Sequence, residues 1–187
     1  MRPGRIAILL ASLSTPALAQ ADPVQEALDG AAAAYARGDL QSAIRDLDFA
    51  RDALLGMKMQ ALSTHLPDAP KGWTRAVNTE MADAINRLGG GVGAEAEYYR
   101  DDGLARYTIT LLADNPMIGS ISALVRNAMI LGLPVIRVER YRFVNQDGDL
   151  SGIVGNQIAV KADGATTEIL IEALSTLDFQ ALAAFGD

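Results

Sequence analysis

His65 is the single imidazole in the chain, and there is no cysteine anywhere. One histidine could serve as a general base, but a triad needs a serine and a carboxylate to reach it, and no local spacing supplies them. Its position, at the end of a helical stretch and two residues before Pro67, fits a cation meeting a helix C-terminus. A zinc site built from several histidines is excluded, as are thiolate metal sites, thiol catalysis and disulfides. Gly89-Gly90-Gly91-Val92-Gly93 has neither the G-x-G-x-x-G nor the G-x-x-x-x-G-K-[ST] spacing and precedes a strand, so it is expected to be a flexible connector. Asn145-Gln146-Asp147-Gly148-Asp149-Leu150-Ser151 contains half of a calcium loop, yet strand-like flanks and the Asp-Gly pair point to a hairpin turn. Asp101 and Asp102 are adjacent carboxylates at an expected hairpin tip, too solvated for a tuned acid/base pair. Asp114 stands at a strand-to-helix junction, where it or Asn115 is expected to cap the helix. No catalytic residue, metal ligand or cofactor is therefore expected.

What remains is apolar. A helix is expected from Asn115-Pro116 to about Leu131, with Met117, Ile118, Ile121, Leu124, Val125, Ala128, Met129, Ile130 and Leu131 occupying more than one stripe. Either both faces are buried, the favoured arrangement, or one face is a partner or ligand surface. Met117, Ile121, Leu124 and Met129 are the candidate residues of such a surface, the methionines suiting an adaptable groove. Trp73, the only tryptophan, is expected to be a packing anchor.

The elements that must position these residues begin after Ala19. Residues 1–19 read as a cleavable secretory signal: Arg2 and Arg5, a short apolar stretch from Ile6, and Ala17-Leu18-Ala19. Residues 20–66 read as an α-helical hairpin. Asp22-Pro23 starts the first helix, Gly38 ends it, and Asp39 caps the second. In the second helix Leu40, Ile44, Leu47, Ala50, Leu54, Met57 and Leu62 make the apolar stripe. Residues 67–73, with Pro67, Pro70 and Gly72, read as a linker. Residues 74–187 then read as an α+β sandwich domain. Met81, Ala84, Ile85 and Leu88 suit a short helix. Strands are expected at 94–100 and 105–112 around Asp101-Asp102-Gly103, at 135–144, and at 150–154 and 157–162 around Gly155-Asn156. Tyr107, Ile109 and Leu111 alternate with Arg106, Thr108 and Thr110, giving one strand a wet face. A helix at 167–177 with a short continuation closes the chain. The fold class is α+β: an N-terminal α-helical hairpin, then an antiparallel sheet of about five strands packed with two helices in the order ββαβββα, covered on one face.

The net charge is -7, and -9 once Arg2 and Arg5 are removed, with no basic run longer than a dipeptide. That balance excludes a nucleic-acid partner and disfavours anionic lipid. No stretch is long and apolar enough to span a bilayer, so there is no transmembrane segment.

Tyr35-Ala36-Arg37-Gly38-Asp39-Leu40, with Ala43, Leu47, Ala50 and Leu54, resembles the helix-turn-helix core of a tetratricopeptide repeat, which implies a helical hairpin and a protein-binding role. A single repeat cannot form a stable solenoid. Gly38-Asp39, Leu66-Pro67, Pro70-Lys71-Gly72-Trp73, Ala113-Asp114-Asn115-Pro116-Met117 and Gly155-Asn156-Gln157-Ile158 together resemble an uncharacterised family of secreted proteobacterial proteins. That resemblance implies a periplasmic location and no particular site. The leading expectation is a periplasmic, non-enzymatic module that binds another periplasmic protein or itself through the helical hairpin. A carrier of a lipid or other apolar ligand is the alternative, and a hydrolase using Asp114 or His65 comes third.

Overall fold

The computed structural model of the protein describes residues 22–79, 81, 85 and 90–186. The expected signal segment lies outside these residues, as do Ala84 and Leu88 of the expected short helix and Gly89 of the glycine run. By internal contacts the chain divides into two compact units, residues 1–50 and 51–187.

In the first unit, α1 (Pro23–Ala36) starts at Asp22, whose carboxylate accepts the Val24 N–H at 2.9 Å. It ends at Gly38, whose φ of 77° lets the chain reverse while Asp39 N–H bonds back to the Ala34 carbonyl. Asp39 then caps α2 (Leu40–Ser63) by accepting the Ser42 N–H at 3.1 Å. Small residues let the helices approach: Ala31 and Ala34 on α1, Ala43 and Ala50 on α2, are all buried. At Gly30 an added Cβ would lie 2.9 Å from the Asp46 carboxylate.

The second unit is a seven-stranded, wholly antiparallel sheet of order β1-β2-β3-β7-β6-β5-β4. Its strands are β1 (Trp73–Val77), β2 (Val92–Arg100), β3 (Arg106–Ala113), β4 (Val135–Val138), β5 (Tyr141–Gln146), β6 (Asp149–Val154) and β7 (Ile158–Asp163). The helices are α3 (Met117–Asn127), α4 (Thr167–Leu174), α5 (Phe179–Ala183) and the end of α2.

The fold is thus the expected α+β class, with seven strands where about five were expected. One extra strand is β1, which begins inside the expected linker. The other arises because the stretch 135–144 is two strands: the chain folds back at Glu139-Arg140, where Glu139 takes φ of 50° and Val138 pairs with Tyr141. The alternation on β3 holds, with Tyr107, Ile109 and Leu111 buried on one face. That face carries the main core. Leu62 and Leu66 and the helical residues Leu170, Leu174 and Leu182 pack onto Tyr98, Ile109, Phe143, Val160 and their neighbours. The opposite face is covered too: Met81, Ile85 and Ile121 pack onto Leu112 and Ala159, and α3 lies across β5, β6 and β7. The expectation of a single covered face is corrected accordingly.

The linker is held by specific bonds. Arg75 donates from Nη1 to the carbonyls of Leu66 and Pro67, both at 3.0 Å, and Tyr98 Oη donates to the Pro67 carbonyl at 2.7 Å. Among the described residues no helix is long and apolar enough to cross a membrane.

Candidate functional site

The candidate chemistry is placed by the strand ends and helix caps. His65 stands just beyond α2, its ring edge-on to Phe185 with centroids 5.6 Å apart. It lines an open polar hollow of about 460 Å³ with Ser63, Thr64, Asp68, Arg75 and Asp178. The hydroxyls there are committed elsewhere: Ser63 donates to the Gln60 carbonyl and Thr64 to the Ala61 carbonyl, each at 2.7 Å. Among the described residues no carboxylate bonds the imidazole, and no group of three or more histidines and carboxylates could hold a metal.

Asp114 and Asn115 divide the work expected of either. Asn115, almost fully buried, accepts the Met117 N–H at 2.8 Å and donates to the Gly90 carbonyl, so it is the cap. Asp114 turns outward at φ of 51° and pairs with Lys58 at 2.7 Å. Of the neighbouring glycines Gly91 and Gly93 are close-approach positions, Gly93 within β2, while Gly90 has open space about it. A Cβ on Gly91 would lie 2.6 Å from the Asp114 carbonyl oxygen, and one on Gly93 would lie 2.5 Å from Ile85. Asp102 accepts from Arg100 Nε at 2.8 Å and from Leu104 N–H at 2.9 Å, and the Arg100 hydrogen bond holds its carboxyl below the usual range. The 145–149 stretch is a hairpin turn, with Gln146 opposite Asp149 and the Gly148 N–H bonded to Asn145 Oδ1 at 2.9 Å.

The residues expected to form a surface on the apolar helix are not brought together as one. Ile121 is buried against Leu112 and Ala159, and Met117 is half-buried beside it. Leu124 is also half-buried. Met129 alone stands clear, 84% exposed, because α3 stops at Asn127 and not near Leu131. Leu133 N–H bonds back to the Ala128 carbonyl, and Gly132 takes φ of 69° to close the turn.

The larger apolar face lies on the helical pair. Tyr35 is 71% exposed, Leu40 and Ile44 59% each and Leu47 50%, with Leu28 also exposed. Leu40, Ile44 and Leu47 recur at spacings of four and three, one line along α2. Leu28 and Tyr35, seven apart, make the matching line on α1. Buried Val24, Ala31 and Ala34 on one helix and Ala43 and Ala50 on the other fix where the antiparallel pair meets. Turning from that contact, both apolar lines fall on the same side of the pair. The other side holds an open hollow between Glu26, Gly30, Asp46 and Phe49. Leu40, Ile44 and Leu47 belong to the apolar stripe expected on the second helix, and its exposed part is here.

Two small cavities lie in the second unit. One, of about 240 Å³, is bounded by Gly56, Met59, Val77 and Met81. The other, of about 230 Å³, is bounded by Pro70, Trp73, Arg100, Tyr107, Ile169 and Glu172. Trp73 is the expected anchor in that its ring lies 5.0 Å from Tyr107, which in turn stacks on Tyr98 at 4.5 Å. It also forms a cavity wall, which the sequence did not indicate. Compared with known proteins, the chain matches no family model, no curated protein sequence and no solved structure.

Proposed function

We propose that the chain is a secreted, periplasmic, non-enzymatic protein-binding module whose helical pair docks an apolar helix of a partner, either a second copy or another periplasmic protein. The observation that carries this reading is the unpartnered apolar face of Leu28, Tyr35, Leu40, Ile44 and Leu47. Anchors at i, i+4 and i+7 are the pattern by which helices recognise helices. Large side chains left half-exposed along one face suit a cover that the described residues do not provide. The resemblance of the Tyr35–Leu40 corner to a tetratricopeptide repeat supports the same reading. A lipid carrier has less support, because the cavities of about 230 and 240 Å³ are small for a lipid chain and the larger hollows, of about 460 and 390 Å³, lie open at the surface. A hydrolase has less again, because Ser63 and Thr64 point their protons at helix carbonyls.

The test is sedimentation velocity over a concentration series, with affinity capture from a periplasmic extract, on the wild type and on Ile44→Glu. Completing the burial of one half-exposed isoleucine is worth about 1 kcal/mol. A two-fold dimer counts it twice, so Ile44→Glu weakens self-association by at least about thirtyfold. For a different partner the loss is at least about fivefold. A strictly monomeric protein at about 100 μM that also captures nothing would overturn the proposal.

A further inference from the structure

The cavity walled by Trp73 and Tyr107 carries a second, independent assignment. Tyr107 is 2% exposed as a residue, and its hydroxyl, with no hydrogen-bond partner among the described residues, is reached from the cavity it borders. The indole N–H of Trp73 is likewise without a partner there. Among the described residues no buried side-chain donor or acceptor is left without a partner, so these two donors are reached from the cavity and are open to what enters it. Two opposite charges border the same space. Arg100 spends its Nε on Asp102, and its Nη groups make no bond among the described residues. Glu172 makes no ion pair among the described residues, with Arg100 or with any other cation. A guanidinium and a carboxylate that face one cavity without meeting each other leave room for a molecule carrying the complementary pair. Beside them the cavity is lined by Trp73, Tyr107, Pro70 and Ile169, which suit an apolar body.

We propose that this cavity binds a small zwitterion with an apolar side chain, of the size of a free α-amino acid, its carboxylate on Arg100 and the Tyr107 hydroxyl and its ammonium on Glu172. A volume of about 230 Å³ is that of roughly eight waters at ~30 Å³ each, the size of a free α-amino acid with a short apolar side chain. Burial and the nearby Glu172 charge push the Tyr107 hydroxyl up to about 12, so it stays a donor at neutral pH. The site is separate from the helical-pair face and stands or falls without it.

Trp73 is the only tryptophan of the chain, so its fluorescence reports this cavity alone. The experiment titrates L-leucine into the purified protein and compares 4-methylpentanoate, which lacks the ammonium, and isoamylamine, which lacks the carboxylate. The expected result is a saturable change in Trp73 emission with L-leucine, at least tenfold weaker for each truncated molecule. Glu172→Gln, a change at an exposed position, is expected to weaken L-leucine at least tenfold and leave 4-methylpentanoate unchanged. Arg100→Gln does the reverse, weakening L-leucine while leaving isoamylamine unchanged. No response to L-leucine up to about 10 mM, where even weak binding registers, would overturn the proposal. Equal affinity for either truncated molecule would overturn it too, assigning the cavity to a simple anion or cation.

Discussion

The junction at Pro67 offers a prediction whose size follows from the bonds that hold it. The Pro67 carbonyl accepts two donors, Tyr98 Oη at 2.7 Å and Arg75 Nη1 at 3.0 Å. Replacing Tyr98 by Phe removes one donor while the other stays, so the loss is that of one ordinary hydrogen bond, about 1 kcal/mol. Replacing Arg75 by Met removes the bonds to both Leu66 and Pro67, which are charge-assisted. The Arg75 side chain is 30% exposed and water replaces part of what is lost, which brings the cost to about 2 kcal/mol. The Asp68 partner at 3.4 Å is 98% exposed and adds little. With both substitutions the Pro67 carbonyl loses every donor it has among the described residues, a further cost of about 1 kcal/mol. The double variant should therefore lose about 4 kcal/mol, more than the sum of the singles. Thermal unfolding followed by circular dichroism measures this as drops in Tm of roughly 3, 6 and 12 °C for a chain of this size. Additivity within about 0.3 kcal/mol would refute the shared-acceptor reasoning, and an unchanged Tm for Tyr98→Phe would refute the clamp itself.

Three further outcomes are expected. Burial raises the hydroxyl pKa values of Tyr98 and Tyr107 above the ordinary 10.0, Tyr107 to about 12. Their contribution to stability is whole below pH 10 and is lost as the pH rises towards 12, so tyrosinate absorbance should appear together with unfolding in an alkaline titration. Gly152→Ala places a Cβ 2.7 Å from the buried Phe143 ring and 2.9 Å from the Arg142 carbonyl oxygen. Chemical denaturation should show a loss of about 1–3 kcal/mol for it, whereas Gly119→Ala in α3, with open space around its Cβ, should gain about 0.5–1 kcal/mol. Asn115→Ala deletes the α3 cap and the bond to Gly90 and should cost about 2 kcal/mol, while Asp114→Asn, at an exposed ion pair, should stay within about 0.5 kcal/mol by the same assay.

The parts of the fold that could be read in the sequence are those whose signals are local. Asp22, Gly38 and Asp39 cap and break helices with their own side chains or backbone, so the helical pair is visible in a few residues. The alternation of Tyr107, Ile109 and Leu111 is equally local, because strand geometry sends successive side chains to opposite faces. The two extra strands lack such marks. The turn at Glu139-Arg140 contains none of the residues that usually accept a positive φ, and Glu139 adopts one because the Val138–Tyr141 pairing on either side imposes it. In β1, Thr74, Ala76 and Val77 lie exposed on a sheet edge, so the strand shows no alternating apolar pattern.

Exposure and pairing are where sequence reading stops, and both candidate sites depend on them. Leu40, Ile44 and Leu47 have the spacing of a core stripe, and spacing alone cannot say whether anything packs on it. In the fold the contact between the helices passes instead through Ala31, Ala34, Ala43 and Ala50, whose small side chains bring the backbones close and leave the larger ones outside. The cavity poses the same difficulty for charge. Arg100 sits at the end of β2 and Glu172 on α4, and in sequence each is one more charged residue beside others. Sheet order places β1 and β3 on either side of β2, which brings Trp73 and Tyr107 to one wall, and α4 carries the exposed Glu172 to the same cavity. Only that arrangement leaves two opposite charges at one opening without joining them. A pair kept apart in this way forgoes whatever stabilisation an ion pair would add, so its effect is to be sought in what enters between them.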